Sequence, residues 1–387
     1  MRWLMVQSGK PAKLFCPKKP CVRDMLRLPA LALLLLLVAA CSTFKPVPTT
    51  RFNPTATRAL LPQDEAVHPK NSLEWWYLTG HLRDVKTGQQ YGVEYVFFHF
   101  NLKDGKDDYQ MVNVALTDPQ GQQFHYDYKL GKLPRLLTDS LPVRLRDHKG
   151  SEVWKFDGQQ GSYHLQAALT GKQNQGYALD LSTTPTKPVL LHGGTGYENY
   201  GQGISAGYYS YPRLTTTGTL LVGGQSHQVE GELWYDRQWN CTSIVSKGVG
   251  WDWMSIQLQE PQGEVVLETD LMLNTLRNSE TGQQLNNGTY SGPDSQNKHL
   301  SGTDFSLTPL TTWTSPASKK KYPAKWRVQL PDQGYDLTVE PLVANQELGL
   351  RFFHAFTMYY WEGMCKVTGT HHGQPIQGTA YVEITNK

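Results

Sequence analysis

Residues 74–100 read EWWYLTGHLRDVKTGQQYGVEYVFFHF. Two segments, Glu74–Asp84 and Gln90–Phe100, flank a turn at Lys86-Thr87-Gly88. In a strand successive side chains point to opposite faces, so Trp75 and Tyr77 share one face while Glu74, Trp76 and Leu78 share the other. This predicts a β-hairpin. Comparable runs follow at Tyr109–Thr117, Tyr163–Thr170, Tyr177–Thr183, Gly218–Val222, Gln228–Tyr235, Trp251–Gln259, Glu264–Leu273, Ala324–Gln329, Tyr335–Glu340, Tyr359–Thr368 and Gln377–Ile384. No long stretch of 3.6-residue periodicity separates them. Many short strands at hairpin spacing predict an all-β sandwich or barrel.

The opening hairpin has an echo. Glu74-Trp75-Trp76-Tyr77-Leu78 resembles Gly250-Trp251-Asp252-Trp253-Met254. Gly224-Gln225, followed by Val229, Gly231, Trp234 and Asp236, resembles Gly373-Gln374, followed by Ile376, Gly378, Tyr381 and Glu383. A repeated start and a repeated end predict two tandem β domains, residues 67–240 and 241–387, with the boundary near Gln238–Gly248.

The N-terminus reads as an export signal. Leu28–Ala40 (LPALALLLLLVAA) has the length of a signal-peptide apolar core, follows basic residues and is short for a bilayer span. Val38-Ala39-Ala40-Cys41 resembles a bacterial lipobox. That resemblance implies that residues 1–40 are removed, that Cys41 is acylated, and, with Ser42 next, that the chain is held at the outer membrane. An ordinary signal peptide is the other reading. Translation from Met25 would shorten the leader. Residues 41–66, rich in Pro and Thr, read as a tether.

Charged residues are 18% of the 387-residue chain, against about 25% in ordinary soluble domains. The net charge of +3 comes from the leader, since residues 1–40 carry seven basic side chains and one acidic. Without them acids outnumber bases, which excludes a globally basic nucleic-acid binder. Trp, Tyr and Phe number 11, 20 and 12, too many for a disordered chain. Cys241 and Cys365 could pair in an oxidising compartment or remain as two buried thiols.

Alternation places Trp234 with Asp236, Trp251 with Trp253, and Tyr209 with Tyr211 and Arg213, each set on one face. Flat rings with polar tips predict a wide aromatic pocket for a long apolar ligand; the other reading is that they fill two barrels and the seam between them. Asp236 lies two residues beyond Trp234, with Arg237 adjacent and Trp239 close. A carboxyl among indoles is poorly solvated and stays protonated near neutrality, able to protonate an alkene whose cation the rings stabilise. The alternative is a structural ion pair with Arg213 or Arg237. The same choice applies to Glu74 and Glu362. Gly203-Ile204-Ser205-Ala206-Gly207 matches G-x-S-x-G but lacks the strand and helix of a nucleophile elbow. His371-His372 lacks a third ligand at metal-binding spacing. No metal or cofactor is expected.

The blocks 74–80 (EWWYLTG), 208–214 (YYSYPRL), 231–237 (GELWYDR), 250–253 (GWDW), 313–316 (WTSP), 322–326 (YPAKW) and 360–363 (YWEG) resemble, in order, the carotenoid 1,2-hydratase / AttH-like family. The resemblance runs from about residue 70 to the C-terminus. It implies two lipocalin-like, calycin-type antiparallel β-barrels packed side by side, with ligand chemistry in the N-terminal barrel or the seam. It carries the acid role to Asp236 and, with the faces above, a binding role to Trp75, Tyr77, Tyr209, Tyr211, Arg213, Trp234, Trp239, Trp251 and Trp253. Two departures stand out: Gln238 replaces the usual acid before Trp239, and Glu268-Thr269-Asp270-Leu271 replaces an Arg-ending strand. The function these imply is an envelope lipoprotein that takes a hydrophobic isoprenoid-like or acyl ligand and hydrates it without a cofactor. A non-catalytic lipid carrier or chaperone is the alternative. Its partners would be a small hydrophobic ligand and, through the anchor, a membrane.

Overall fold

The structure is a computed structural model that describes residues 57–69, 73–102, 107–133, 140–170, 173–201, 204–241, 249–278, 282–352 and 356–385. The export signal, Cys41 and most of the expected domain boundary lie outside the described residues.

The chain forms two antiparallel sheets. The first contains β1 (Leu73–Asp84), β2 (Gln90–Leu102), β3 (Asp107–Asp118), β4 (Gln123–Lys132), β5 (Val143–Arg146), β6 (Lys155–Gln159), β7 (Ser162–Ala168), β8 (Ala178–Pro185), β9 (Leu190–Leu191), β10 (Tyr197–Gly201), β11 (Ile204–Val222) and β12 (Gln225–Trp239). The second contains β13 (Val249–Gln262), β14 (Val265–Asn278), β15 (Gln284–Ser291), β16 (Asn297–Ser301), β17 (Ser306–Thr314), β18 (Lys321–Leu330), β19 (Tyr335–Pro341), β20 (Glu347–Phe352), β21 (Phe356–His371) and β22 (Gln374–Thr385).

The opening hairpin is β1–β2, with Trp76 opposite Phe97 and Leu82 opposite Tyr91. Gly88, at φ 73°, supplies the left-handed residue of its turn. The strand orders are β4-β3-β2-β1-β12-β11-β8-β7-β6-β5 and β16-β15-β14-β13-β22-β21-β19-β18-β17. In each sheet the first strand lies between its hairpin partner and the last strand. The repeated glycines have one physical reason. A Cβ on Gly231 would run into the His81 carbonyl, and a Cβ on Gly378 into the Gln257 carbonyl. They face Leu82 and Leu258, equivalent positions of β1 and β13.

Each sheet gathers its inward side chains into a core. Val93, Val112, Leu165, Leu181, Leu220 and Leu233 are buried in the first; Ile256, Leu271, Val328, Leu337, Val367 and Val382 in the second. Burying such a side chain stabilises the fold by about 1.5–3 kcal/mol. Among the described residues no ladder joins β4 to β5 or β16 to β17. The hydrogen bonding therefore leaves both sheets open, where the family resemblance implied two barrels. Closure needs the edge strands to pair. Edge strand β4 instead leans on β20 of the other sheet, where Tyr126 and Tyr128 hydroxyls accept from the Gly349 and Arg351 amides at 3.1 and 2.9 Å.

The outer faces of β1 and β12 pack against those of β13 and β14. Tyr77 and Trp234 from the first sheet and Trp253 and Met272 from the second form one buried cluster. Tyr77 meets Trp253 edge-on, ring centres 5.5 Å apart. Cys241 and Cys365 are separate buried free thiols.

A seam cavity with two carboxyls

The seam encloses a cavity of about 40 Å³. Trp75 and Tyr77 of β1, Tyr200 of β10, and Asp236 and Gln238 of β12 line it from the first sheet. Trp251 and Trp253 of β13, Asn274 and Leu276 of β14, and Glu383 of β22 line it from the second. A buried water needs about 10–15 Å³ by this kind of measure, so the space holds a few waters or the tip of a larger molecule. The wide pocket expected from the aromatic count is therefore a small one, because the rings meet edge to face across the seam and fill it. Trp75, Trp251 and Glu383 are partly exposed and form its rim; Tyr77, Asp236 and Trp253 are buried and form its floor.

Asp236 has neither Arg213 nor Arg237 as a partner. Tyr208 donates to its Oδ2 at 2.6 Å, Trp234 Nε1 to its Oδ1 at 2.6 Å, and the Ser210 hydroxyl also to Oδ1. Burial pushes its pKa up to about 6, opposed by the Ser210, Tyr208 and Trp234 hydrogen bonds. Behind Ser210, His192 Nε2 lies 2.7 Å from the hydroxyl, and His192 Nδ1 lies 2.8 Å from Thr289 Oγ1 of the second sheet. Glu383 is pushed up to about 7, first by burial, with the negative charge of Asp236 adding and a hydrogen bond from Trp251 opposing.

Of the residues expected to form the site, Trp75, Tyr77, Asp236, Trp251 and Trp253 line the cavity, and Trp234 holds Asp236 from behind. The others lie elsewhere. Tyr209, Tyr211 and Trp239 point into the core of the first sheet. Trp239 alternates with Gln238, so it faces away from Asp236. Arg213 does not share a face with Tyr209 and Tyr211. The β11–β12 register shifts between Tyr211 and Leu214, and this irregularity reverses the parity. Leu214 turns inward, while Arg213 crosses to the second sheet. There it donates to Asp270 at 2.9 Å, to Glu268 at 3.2 Å and to the Leu258 carbonyl at 2.9 Å. The acids in the departing 268–271 segment thus receive Arg213.

Glu74 is the structural ion pair that Asp236 is not. It is buried against Arg237, His68 and His99, and Arg237 stacks 3.9 Å above the Trp76 ring. Burial alone would raise the Glu74 pKa, but the Arg237 charge and the histidine hydrogen bonds hold it far below the usual carboxylate range. Glu362 accepts from Tyr77 at 2.9 Å, and burial together with Glu94 and Glu383 raises its pKa well above the ordinary value. Tyr208, Ser210, His192 and Asn274 were not readable as site residues. Glu383 carried one signal, its place as the repeat partner of Asp236. Gln238, the other departure, lines the cavity and donates to the Tyr200 hydroxyl at 3.3 Å. Among the described residues no three His, Cys, Asp or Glu side chains are grouped to hold a metal ion.

A family model described as AttH-like matches residues 53–387. The chain belongs to the AttH-like family. The crystal structure of a protein named as an AttH from Nitrosomonas europaea is 28% identical over 88% of this chain and 99% of that one, with a TM-score of 0.69. Kievitone hydratase from Nectria haematococca is 18% identical over 89% of this chain and 98% of that one, with a TM-score of 0.64, a likeness of fold. A search of curated proteins gives no match. AttH-like membership and the mostly-β, two-sheet architecture agree with the reading of the sequence blocks.

Proposed function

We propose that this AttH-like protein binds an apolar, alkene-bearing ligand, isoprenoid-like or acyl, at the seam and adds water to it without a cofactor. Asp236 is the proton-transfer group of that reading. The observation that carries it is a buried carboxyl on a cavity wall with no cationic partner among the described residues. Glu74 and Asp270, by contrast, face Arg or Lys, while Glu94 and Glu362 are buried without a cation among the described residues but do not line the cavity. Protonating an alkene with a carboxylic acid requires a cation that the site can stabilise. The rings of Tyr77, Trp75, Trp251 and Trp253 offer π faces for it. The fold likeness to a hydratase agrees with this chemistry. The proposal includes two domains, residues 67–240 and 241–387, and an outer-membrane lipoprotein anchored at Cys41. The anchor also favours a second reading, a lipid carrier that performs no chemistry.

Native mass spectrometry of the untagged protein tests ligand binding: a co-purifying apolar mass is expected. Asp236→Asn is then expected to retain that mass and lose hydration by at least about 100-fold, the scale of a lost general acid or base. Retained hydration excludes Asp236 as a proton-transfer group; a retained ligand with no turnover by the wild type supports the carrier.

A further inference from the structure

We infer that the seam cavity is a two-carboxyl site in which Glu383, on the rim, is the proton donor and Asp236, on the floor, is the carboxylate that deprotonates the attacking water. This rests on the hydration reading and assigns its two proton transfers to separate residues.

The duplicated topology places both acids. Tyr77 of β1 faces Asp236 of β12, and Trp253 of β13 faces Glu383 of β22. The two aromatic residues touch at the seam, so the two acids reach one cavity from opposite sheets. Among the described residues no Lys, Arg or His pairs with either. The titratable groups around the pair are Tyr77, Tyr200, Tyr208, His192, Glu198, Glu94 and Glu362; the last two act on Glu383, burial keeps His192 neutral, and none of them carries a positive charge.

Hydrogen-bond direction divides the roles. An indole N–H can only donate. Trp253 Nε1 donates to the Tyr208 hydroxyl at 2.9 Å, so that hydroxyl turns its own proton toward Asp236 Oδ2. Trp234 Nε1 donates directly to Oδ1. His192, pushed down to about 3 by burial, is neutral. The Ser210 hydroxyl, whose other neighbour is His192 Nε2, also donates to Asp236. Three donor chains end on one carboxyl, the environment of an anion. Among the described residues Glu383 receives one donor, Trp251. Burial favours the protonated form at both sites, and the donors offset it mainly at Asp236. The uneven donors assign the proton of the pair to Glu383.

The step balances. The Glu383 O–H bond breaks and its proton forms a C–H bond at one alkene carbon, leaving a cation at the other. A water on the Asp236 side forms the C–O bond and gives its proton to Asp236. One alkene and one water yield one alcohol. The proton on Asp236 returns to Glu383 through cavity water. A branched alkene, whose protonation gives a tertiary cation, is the matching substrate class, entering end-on past Trp75 and Trp251.

Two measurements on the full chain test this. The first needs no substrate: carboxyl carbon-13 NMR of protein labelled at Asp and Glu, with signals assigned through Asp236→Asn and Glu383→Gln. At pH 6.5 Asp236 is expected at the carboxylate position and Glu383 at the acid position. Tyr208→Phe, which keeps both carboxyls, is expected to raise the Asp236 midpoint by about one pH unit. The reverse assignment overturns the inference. The second uses 6-methylhept-5-en-2-one in deuterated, oxygen-18-labelled water. Glu383→Gln is expected to lose deuterium uptake and labelled alcohol together, each at least about tenfold. Asp236→Asn is expected to lose the alcohol while still exchanging deuterium into recovered alkene. If Asp236→Asn stops exchange and Glu383→Gln does not, Asp236 is the donor: this inference fails and the proposed function stands. If the wild type gives neither label, the hydration reading itself fails, and the NMR assignment still decides where the proton resides.

Discussion

Asp236 and Arg237 are neighbours that serve opposite purposes because a strand alternates its faces. Asp236 looks into the seam and, among the described residues, meets only neutral donors. Arg237 looks into the core of the first sheet, where it donates to Glu74, to the Ala66 carbonyl at 2.7 Å and to the Glu65 carbonyl at 3.2 Å. Removing one member of a buried pair leaves the other charged and unsolvated. Glu74→Gln is therefore expected to cost about 3–5 kcal/mol, read from a urea melt. Asp236→Asn leaves no unpaired cation, so its cost should stay near the level of a lost hydrogen bond, roughly 1 kcal/mol. Equal losses in the two variants would show that Asp236 is also a structural charge. The alternation was legible in the sequence. That the Asp236 face belongs to Tyr208 and Ser210, not to Tyr209 and Tyr211, depends on the β11–β12 register, which pairs Ser210 with Asp236.

At the scale of elements, the repeat carries its own tests. Gly231 and Gly378 sit where a neighbouring carbonyl leaves no room for a side chain. Alanine at either is expected to cost roughly 1–3 kcal/mol through forced backbone movement, with similar values at both. A large cost at one and none at the other would argue against equivalent roles. A second test lies between β2 and β21, where Asn113 donates to Glu94 at 2.6 Å and Tyr360 reaches the same oxygen at 3.4 Å. Burial pushes Glu94 from 4.5 up to about 8, with Glu383 adding to the rise. The folded chain thus holds a proton that the unfolded chain releases at lower pH. Stability from this group is full below about pH 4.5 and is lost as pH rises toward 8. Glu94→Gln is expected to lie within about 1 kcal/mol of the wild type near pH 5 and to exceed it by roughly 3–4 kcal/mol near pH 8 in thermal melts. A pH-independent difference would place the carboxyl in contact with solvent.

For the whole molecule, polar seam contacts join the two sheets besides the aromatic cluster. Arg213 and Lys187 reach Asp270, and Gln257 Nε2 donates to the Pro212 carbonyl at 2.7 Å. A charge-bearing seam with a cavity in it is a site made by two halves, so neither half alone contains both Asp236 and Glu383. The other whole-molecule expectation concerns placement in the cell. Cys41→Ser is expected to move the protein from the membrane fraction to the soluble one, since acyl chains at Cys41 would supply the anchor. Wild type that is soluble with an unmodified N-terminus contradicts the lipoprotein proposal.

The all-β class, the β1–β2 hairpin, the repeated glycines and the pairing of Asp236 with Glu383 as equivalent acids are all written in the order of residues along the chain. Those are local properties: period-two alternation, turn residues and spacing along one strand. So is the shared face of Trp75 and Tyr77, because no irregularity intervenes between them. Which aromatic residues line a cavity and which fill a core emerges from the packing of the two sheets. The Tyr211–Leu214 irregularity reverses a face without leaving a distinctive residue type, and so Arg213 was misplaced beside Tyr209. Trp234 is the one partner of Asp236 that spacing reveals; the others come from β11 and, through Tyr208, from β13 of the other sheet, at separations no spacing rule spans. The size of the cavity likewise depends on how rings from two sheets interlock, a packing property that composition cannot express.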